Sequence, residues 1–324
     1  SGVRTTYGST IFKNNIPKTS DRTIKILERN GANPVAKSNV PEWAGGHTFN
    51  PVNGLTRNPW DISKSAGGSS GGSASALASG QVFLATGNDL GGSLRTPAGF
   101  NGVVGLRPSP GLVPRGKRYM PFDTLWVEGP MARTVEDLAL MLDAMVGHSI
   151  GDPLSFPSSK GSFSHSLEDD SLPTSVVVSE DLGIVPVDPE IREGFKAAVK
   201  IISEESWNVC TDTPNFSGAL DAFKTLRGVL MASMLGDLTN EYKDEILEDI
   251  RKNVVKQFGF DRVYKQGFNI KTPLNLELQN IATTSLRRGL ENYDKRKGWR
   301  GPITNRKISN NWKKNLDQFI LENS

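Results

Sequence analysis

The sequence predicts an α/β protein folded as one continuous domain, and three observations carry that expectation. Short apolar runs recur between stretches of helical periodicity, as where Ser175 to Val178 (SVVV) precedes the amphipathic segment Pro189 to Ser206. A window of 50 residues, Gly67 to Gly116, holds 13 of the 33 glycines but only four charged residues, Asp89, Arg95, Arg107 and Arg115. No internal repeat or polar linker divides the 324 residues, a length that buries most of its apolar surface without disulfides or metals.

In chain order, Ser20 to Asn30 is expected as a surface helix capped by Ser20, and Pro41 to Gly45 as a loop. Within the glycine window, VFLA (Val82 to Ala85) and GVVGL (Gly102 to Leu106) read as buried strands. Ser73 to Ser79 (SASALAS) reads as a helix of small residues packed against them. A flexible linker would be polar; here glycine lets chains approach closely, and hydroxyls satisfy backbone groups that water cannot reach. Thr134 is placed to cap a helix, with Asp137 three positions on. Val135, Leu138, Leu142 and Met145 share one face of it before Gly147 ends it. From Leu220 to Phe258 charged and apolar residues interleave at helical spacing, and Trp312, Leu316, Phe319 and Ile320 form the stripe of a last helix.

Composition excludes several classes of function. The 38 Lys and Arg against 35 Asp and Glu give a formal charge of +3, spread along the chain, which argues against nucleic acid as a partner. No run approaches 18 uncharged apolar residues and the first residues have no signal-peptide core, so neither a membrane span nor a membrane partner is expected. The single cysteine, Cys210, forms neither an internal disulfide nor a cysteine-rich zinc site. The expectation is a cytoplasmic protein with a small-molecule partner.

Two serine-bearing stretches carry the chemistry. GGSSGG (Gly67 to Gly72) has three readings. A phosphate cradle would want the Gly-Lys-Ser/Thr ending that is missing here. A nucleophile elbow centred on Ser69 or Ser70 would need a downstream histidine, His148 or His165, each with polar, loop-like neighbours. The third reading joins it to DLGGSLR (Asp89 to Arg95), where two glycines before Ser93 leave backbone amides unobstructed around a nucleophile. Without histidine, a desolvated neutral lysine can serve as base, and a second serine can relay the proton.

The run NPVNGLTRNPWDISKSAGGSSGGSASALASG (Asn50 to Gly80), followed by GNDLGGSLRTPAGFNGVVGLRPSPGLVP (Gly87 to Pro114), resembles the signature region of the amidase signature family. AKSNVPEWA (Ala36 to Ala44) resembles the family's Gly-Lys-x-Asn segment, and EGPMARTVEDLALML (Glu128 to Leu142) its Gly-Pro-hydrophobic-Ala-Arg segment. The resemblance implies the family's fold, a central mixed β-sheet covered by helices on both faces. A signature core of about residues 36–146 would be followed by an α/β part at 147–324. It also implies amide hydrolysis through a serine acyl-enzyme, with no metal or organic cofactor.

Carried over residue by residue, Ser93 matches the nucleophile and Ser69 the serine on a cis peptide bond that bridges nucleophile and base. Leu90, Gly91, Gly92 and Ser93 match the turn whose amides stabilise the oxyanion. Ser70 and Arg95 match supporting positions, while a structural ion pair holding the turn accounts equally for Arg95 and Asp89. The family's catalytic lysine precedes the segment that here reads Gly2 to Ser9, so no lysine of this sequence matches it. Lys37 falls on the structural Gly-Lys-x-Asn position, Lys64 in a polar loop, and Lys13, Lys18 and Lys25 on solvated surface. The expectation is the central portion of an amidase, beginning after the lysine, ending before the family's last strand, and catalytically crippled as it stands.

Tyr119 to Trp126 (YMPFDTLW) would line an acyl pocket and favour an aromatic or aliphatic acyl group, though core packing explains it as well. Three functions stay open: a stand-alone amidase acting on a small amide, as monomer or homodimer; the amidase-like component of a glutamyl-tRNA(Gln) amidotransferase; and a non-catalytic protein retaining the fold. RPSPGLVPRG (Arg107 to Gly116) differs from the Lys-Pro-Thr-Tyr-Gly stretch of the amidotransferase component, which argues against the second.

Overall fold

The computed structural model describes residues 1–116, 119–157, 161–168, 175–204 and 207–244, with 252, 255 and 256, all inside one compact unit, Ser1–Asn269. The elements are α1 (Arg22–Arg29), β1 (Phe49–Asn50), β2 (Gly54–Leu55), α2 (Gly71–Ala78), β3 (Leu84–Asp89), α3 (Arg95–Asn101) and β4 (Val104–Gly105). They continue with β5 (Val127–Ala132), α4 (Val135–Met145), β6 (Ser175–Val178), α5 (Pro189–Glu204), β7 (Asn208–Thr211) and α6 (Ala219–Glu241).

β5 is the middle of a three-stranded sheet, antiparallel to β3 on one side and to β4 on the other. Side chains of a strand alternate between faces, and the two faces of β3 meet different helices. Ala85, paired with Met131, packs with Ala74 and Leu77 of α2, Ala98 of α3 and the buried Leu94. Leu84 packs on the opposite side with Leu27 of α1 and with Met141, Leu142 and Met145 of α4. The sheet is therefore covered on both faces, as expected. β6 and β7 pair in parallel through the crossover helix α5, while β1 and β2 form a small hairpin. Antiparallel and parallel pairs thus occur in separate sheets among the described residues.

Local chemistry sets the boundaries. The α1 cap is Asp21, not Ser20: its carboxylate accepts the Thr23 amide at 3.0 Å, and the Ser20 hydroxyl is engaged by the N-terminal ammonium instead. Thr134 caps α4 as the sequence indicates, accepting the Asp137 amide at 3.2 Å. Val135, however, sits too near the helix start to be covered and is exposed. The strands expected at 82–85 and 102–106 are displaced to Leu84–Asp89 and Val104–Gly105, because pairing with β5 sets the ladder rather than the apolar run. The helix expected over 220–258 is described as Ala219–Glu241, and the last helix, Trp312 to Ile320, lies outside the described residues.

Candidate active site

α2 begins at Gly71 and runs through residues small enough for backbone contact. A Cβ on Gly72 would lie 2.4 Å from the Asn39 carbonyl oxygen, and one on Gly68 would lie 2.1 Å from that of Gly46, so neither position tolerates a side chain. The hydroxyls on this segment are all spoken for by buried backbone. Ser73 Oγ donates to Thr86 O at 2.8 Å, and Thr48 Oγ1 accepts the Gly71 amide at 3.0 Å and donates to Ser69 O at 3.3 Å. The peptide bond between Gly68 and Ser69 is cis, the bond at which the resemblance places one. Ser69 and Ser70 are both buried.

The second motif follows β3 directly. Asp89 ends the strand fully buried, and its carboxylate organises the turn: it accepts the amides of Gly92 (2.8 Å) and Leu94 (3.2 Å) and a bidentate pair from Arg95 (3.0 and 3.1 Å). Arg107 reaches the same carboxylate at 3.3 Å and also grips the Asp89 carbonyl. Burial pushes this carboxyl up, but the Arg95 hydrogen bonds, the Gly92 amide, the Arg95 charge and the Leu94 amide outweigh it. The group is held below the ordinary carboxylate value. The ion-pair reading of Asp89 and Arg95 is therefore the geometry observed.

Gly92 adopts φ +109°, where a β-carbon is strained, and Leu94 drops into a slot on the sheet. That slot exists because Gly87 of β3 and Gly129 of β5 stand opposite each other. A Cβ on either would come within 2.7 Å of the Leu94 side chain. Leu94 thereby fixes the height of Ser93 above the sheet, and Ser93 itself stays half-buried.

One hydrogen bond stitches the two motifs together: the Ser70 amide donates to Ser93 O at 3.2 Å. The Ser70 hydroxyl also bridges both backbone groups of Asn88, at 3.3 and 3.4 Å. Ser93 lines a cleft of about 270 Å³ together with Gly68, Asn88, Leu90 and Gly91. Among the described residues the amides of Leu90, Gly91 and Ser93 donate to no protein acceptor. Gly92 differs from the sequence expectation here, because its amide is committed to Asp89 and it does not line the cleft.

The far walls of the cleft were not singled out by sequence. His47 and Gly46 form one edge, with His47 Nδ1 3.1 Å from Ser65 Oγ. Phe223, Arg227 and Met231 descend from α6, spaced four residues apart and so on one helical face. That spacing around a lone cation was the available signal. Of YMPFDTLW, only Trp126 lines the cleft. Tyr119 and Phe122 are 62% and 67% exposed, because Asp123 turns the chain by accepting the amides of Leu125 and Trp126. Arg115 then holds Trp126 in place, its guanidinium 5.0 Å from the indole centroid and bonded to the Trp126 carbonyl at 3.0 Å.

Neither His148 nor His165 lines the cleft, nor does any lysine among the described residues. Lys37 is turned toward the N-terminal segment, bonding Thr5 Oγ1 and Val3 O, and burial lowers its pKa. Among the described residues no group of three or more His, Cys, Asp or Glu could hold a metal ion.

A sequence model of the family described as Amidase matches residues 1–287. The chain belongs to the amidase signature family. A curated relative from Picosynechococcus sp., the amidase-like component of its glutamyl-tRNA(Gln) amidotransferase, is 37% identical over 227 residues, covering 68% of this chain and 47% of the relative. The chain spans about half the length of the curated relatives it matches. Among solved structures, a bacterial aryl acylamidase of the family superposes with a TM-score of 0.67 at 25% identity, covering 85% of this chain and 57% of its own. A 6-aminohexanoate cyclic dimer hydrolase superposes with a TM-score of 0.68 at 27% identity, covering 74% and 52%. No described helix of this family member is long and apolar enough to cross a membrane.

Proposed function

We propose that this chain carries the core of an amidase that hydrolyses a small carboxylic amide through an acyl-enzyme on Ser93. The observation that carries the reading is the hydrogen bond from the Ser70 amide to Ser93 O, which sets the segment containing cis Gly68–Ser69 against a serine that opens into the cleft. Ser93 Oγ attacks the amide carbon, forming a C–O bond, and its proton passes through Ser69 toward a base that in the family is a lysine. No residue of this sequence matches that lysine.

The carbonyl oxygen becomes an oxyanion that the amides of Leu90 and Gly91, with Ser93, are placed to receive; Gly92 belongs to the turn's support, with Ser70, Asp89 and Arg95. The C–N bond then breaks as the departing nitrogen takes the proton, and water cleaves the ester to release the acid and regenerate Ser93. The exposed, unpaired Cys210 fits a reducing, cytoplasmic setting.

A fluorophosphonate probe tests the assignment. Stoichiometric labelling that Ser93→Ala abolishes and Ser69→Ala reduces at least about a hundredfold supports it; labelling unchanged in Ser93→Ala sinks it.

The amidotransferase relatives favour a second reading, in which the chain works within a multi-protein amidotransferase. Co-purification with the other components of such an assembly, and glutamine hydrolysis that appears only in their presence, would select that reading over a stand-alone amidase.

A further inference from the structure

We infer that Arg227 makes the cleft selective for amides whose acyl part ends in a carboxylate, such as the monoamides of short dicarboxylic acids. The inference deepens the amidase reading and rests on it for the position of the reacting carbonyl at Ser93.

Arg227 sits between Phe223 and Met231 on the face of α6 that closes the cleft. Phe223 reaches the Ser93 turn itself: its ring lies where a Cβ on Gly91 would be 3.0 Å from Cζ. The stripe is thus anchored above the turn, and Phe12 stacks edge-on to Tyr242 just beyond the end of α6, at 5.7 Å. Of the residues lining the cleft, Arg227 alone carries a fixed charge, and none is a carboxylate.

The other arginines around the site are neutralised. Arg95 and Arg107 pair with Asp89, Arg115 with Asp123 and Glu128, and Arg192 with Glu180. Arg227 makes no ion pair or side-chain hydrogen bond among the described residues. A guanidinium stays charged at all working pH and presents a planar fork that matches a carboxylate. Its neighbours Phe223, Met231 and Trp126 exclude water once a ligand fills the space, which strengthens the attraction. A cleft of about 270 Å³ lies at the small end for ligand sites, so the acyl chain is short. This revises the expectation of a purely aromatic or aliphatic acyl group: the apolar walls remain, and a cation stands among them.

The test is binding, measured by calorimetry on the whole chain and on Ser93→Ala, with succinamate and glutaramate against their methyl esters. The expected result is that at least one free acid binds about tenfold tighter than its ester in both proteins. Arg227→Gln should bring that ratio to about one without lowering Tm, and Arg227→Lys should restore part of it. Equal binding of acid and ester, no binding of either, or a ratio unchanged in Arg227→Gln overturns the inference. Failure of the amidase reading is a separate result: the acid preference persists while Ser93 neither labels nor turns over any amide.

Discussion

The carboxylate of Asp89 accepts the amide of Gly92 at 2.8 Å, closing the turn that presents Ser93. The carboxylate has no exposure and also takes the Leu94 amide and two guanidinium groups, so the turn is organised by one buried charge. Arg95 is 56% exposed, and its pairing contributes less than the two amide bonds and Arg107.

Asp89→Ala leaves those amides and Arg107 without an acceptor. Urea unfolding should show a loss of about 2–4 kcal/mol, and the fluorophosphonate reaction at Ser93 should be lost with it. Because the folded-state pKa of Asp89 lies below its unfolded value, its contribution is present above the ordinary carboxylate value. It disappears as pH falls through the lower folded value, so the wild type loses it only in acid. Asp89→Asn lacks it at neutral pH too, and a neutral-pH stability equal to wild type would contradict the role given to the charge.

The facing glycines under Leu94 make a steric prediction. In Gly129→Ala the new methyl would stand 2.4 Å from Leu106 O and 2.7 Å from Leu94 Cδ1, and the expected cost is about 1–3 kcal/mol with slower labelling of Ser93. Gly99, in α3 with open space around its Cβ position, is the control: Gly99→Ala should be neutral or stabilising by up to about 1 kcal/mol. Thermal unfolding of the two variants checks the contrast.

Glu128 should make stability fall toward alkaline pH. Burial pushes its carboxyl up to about 7 against the pull of Arg115, and nearby Asp21 adds to the rise. The folded state then binds a proton more tightly than the unfolded state, whose value is near 4.5. The stabilisation is complete below that lower value and is lost as pH rises through about 7. The full effect is at most about 3 kcal/mol. Glu128→Gln should flatten the profile of stability against pH, measured by urea midpoints; a profile that stays as steep excludes Glu128 as its source.

Thr48 ties the loop at Ser69 to the start of α2 through one hydroxyl. Thr48→Val keeps the shape and removes both bonds, so a loss of about 1–3 kcal/mol and weaker labelling are expected, with Thr48→Ser close to wild type. Equal behaviour of the two variants would show that the hydroxyl is not what matters.

The motif chemistry was legible in the letters because it is local. Asp89 and Arg95 lie within one turn, glycine before Ser93 announces a positive φ, and Thr134 with Asp137 spells its own helix cap. The expected acyl wall was not legible in the same way. Tyr119, Phe122 and Trp126 read alike as apolar residues, and only the turn made by Asp123 separates the one that reaches the cleft from two that face solvent. The Gly92 amide illustrates the limit from the other side: position in the motif suggests a donor for the ligand, and a neighbouring carboxylate claims it first.

By itself the sequence determined the α/β class, the two serine-bearing segments and their family likeness, since these follow from periodicity, backbone-permissive residues and contiguous motifs. The tertiary structure decided what faces Ser93. Phe223, Arg227 and Met231 lie more than a hundred residues from it in sequence, and their arrival over the turn depends on how α6 packs. Such contacts arise from burial of one helical face against a distant surface, a non-directional force whose partner no local pattern names.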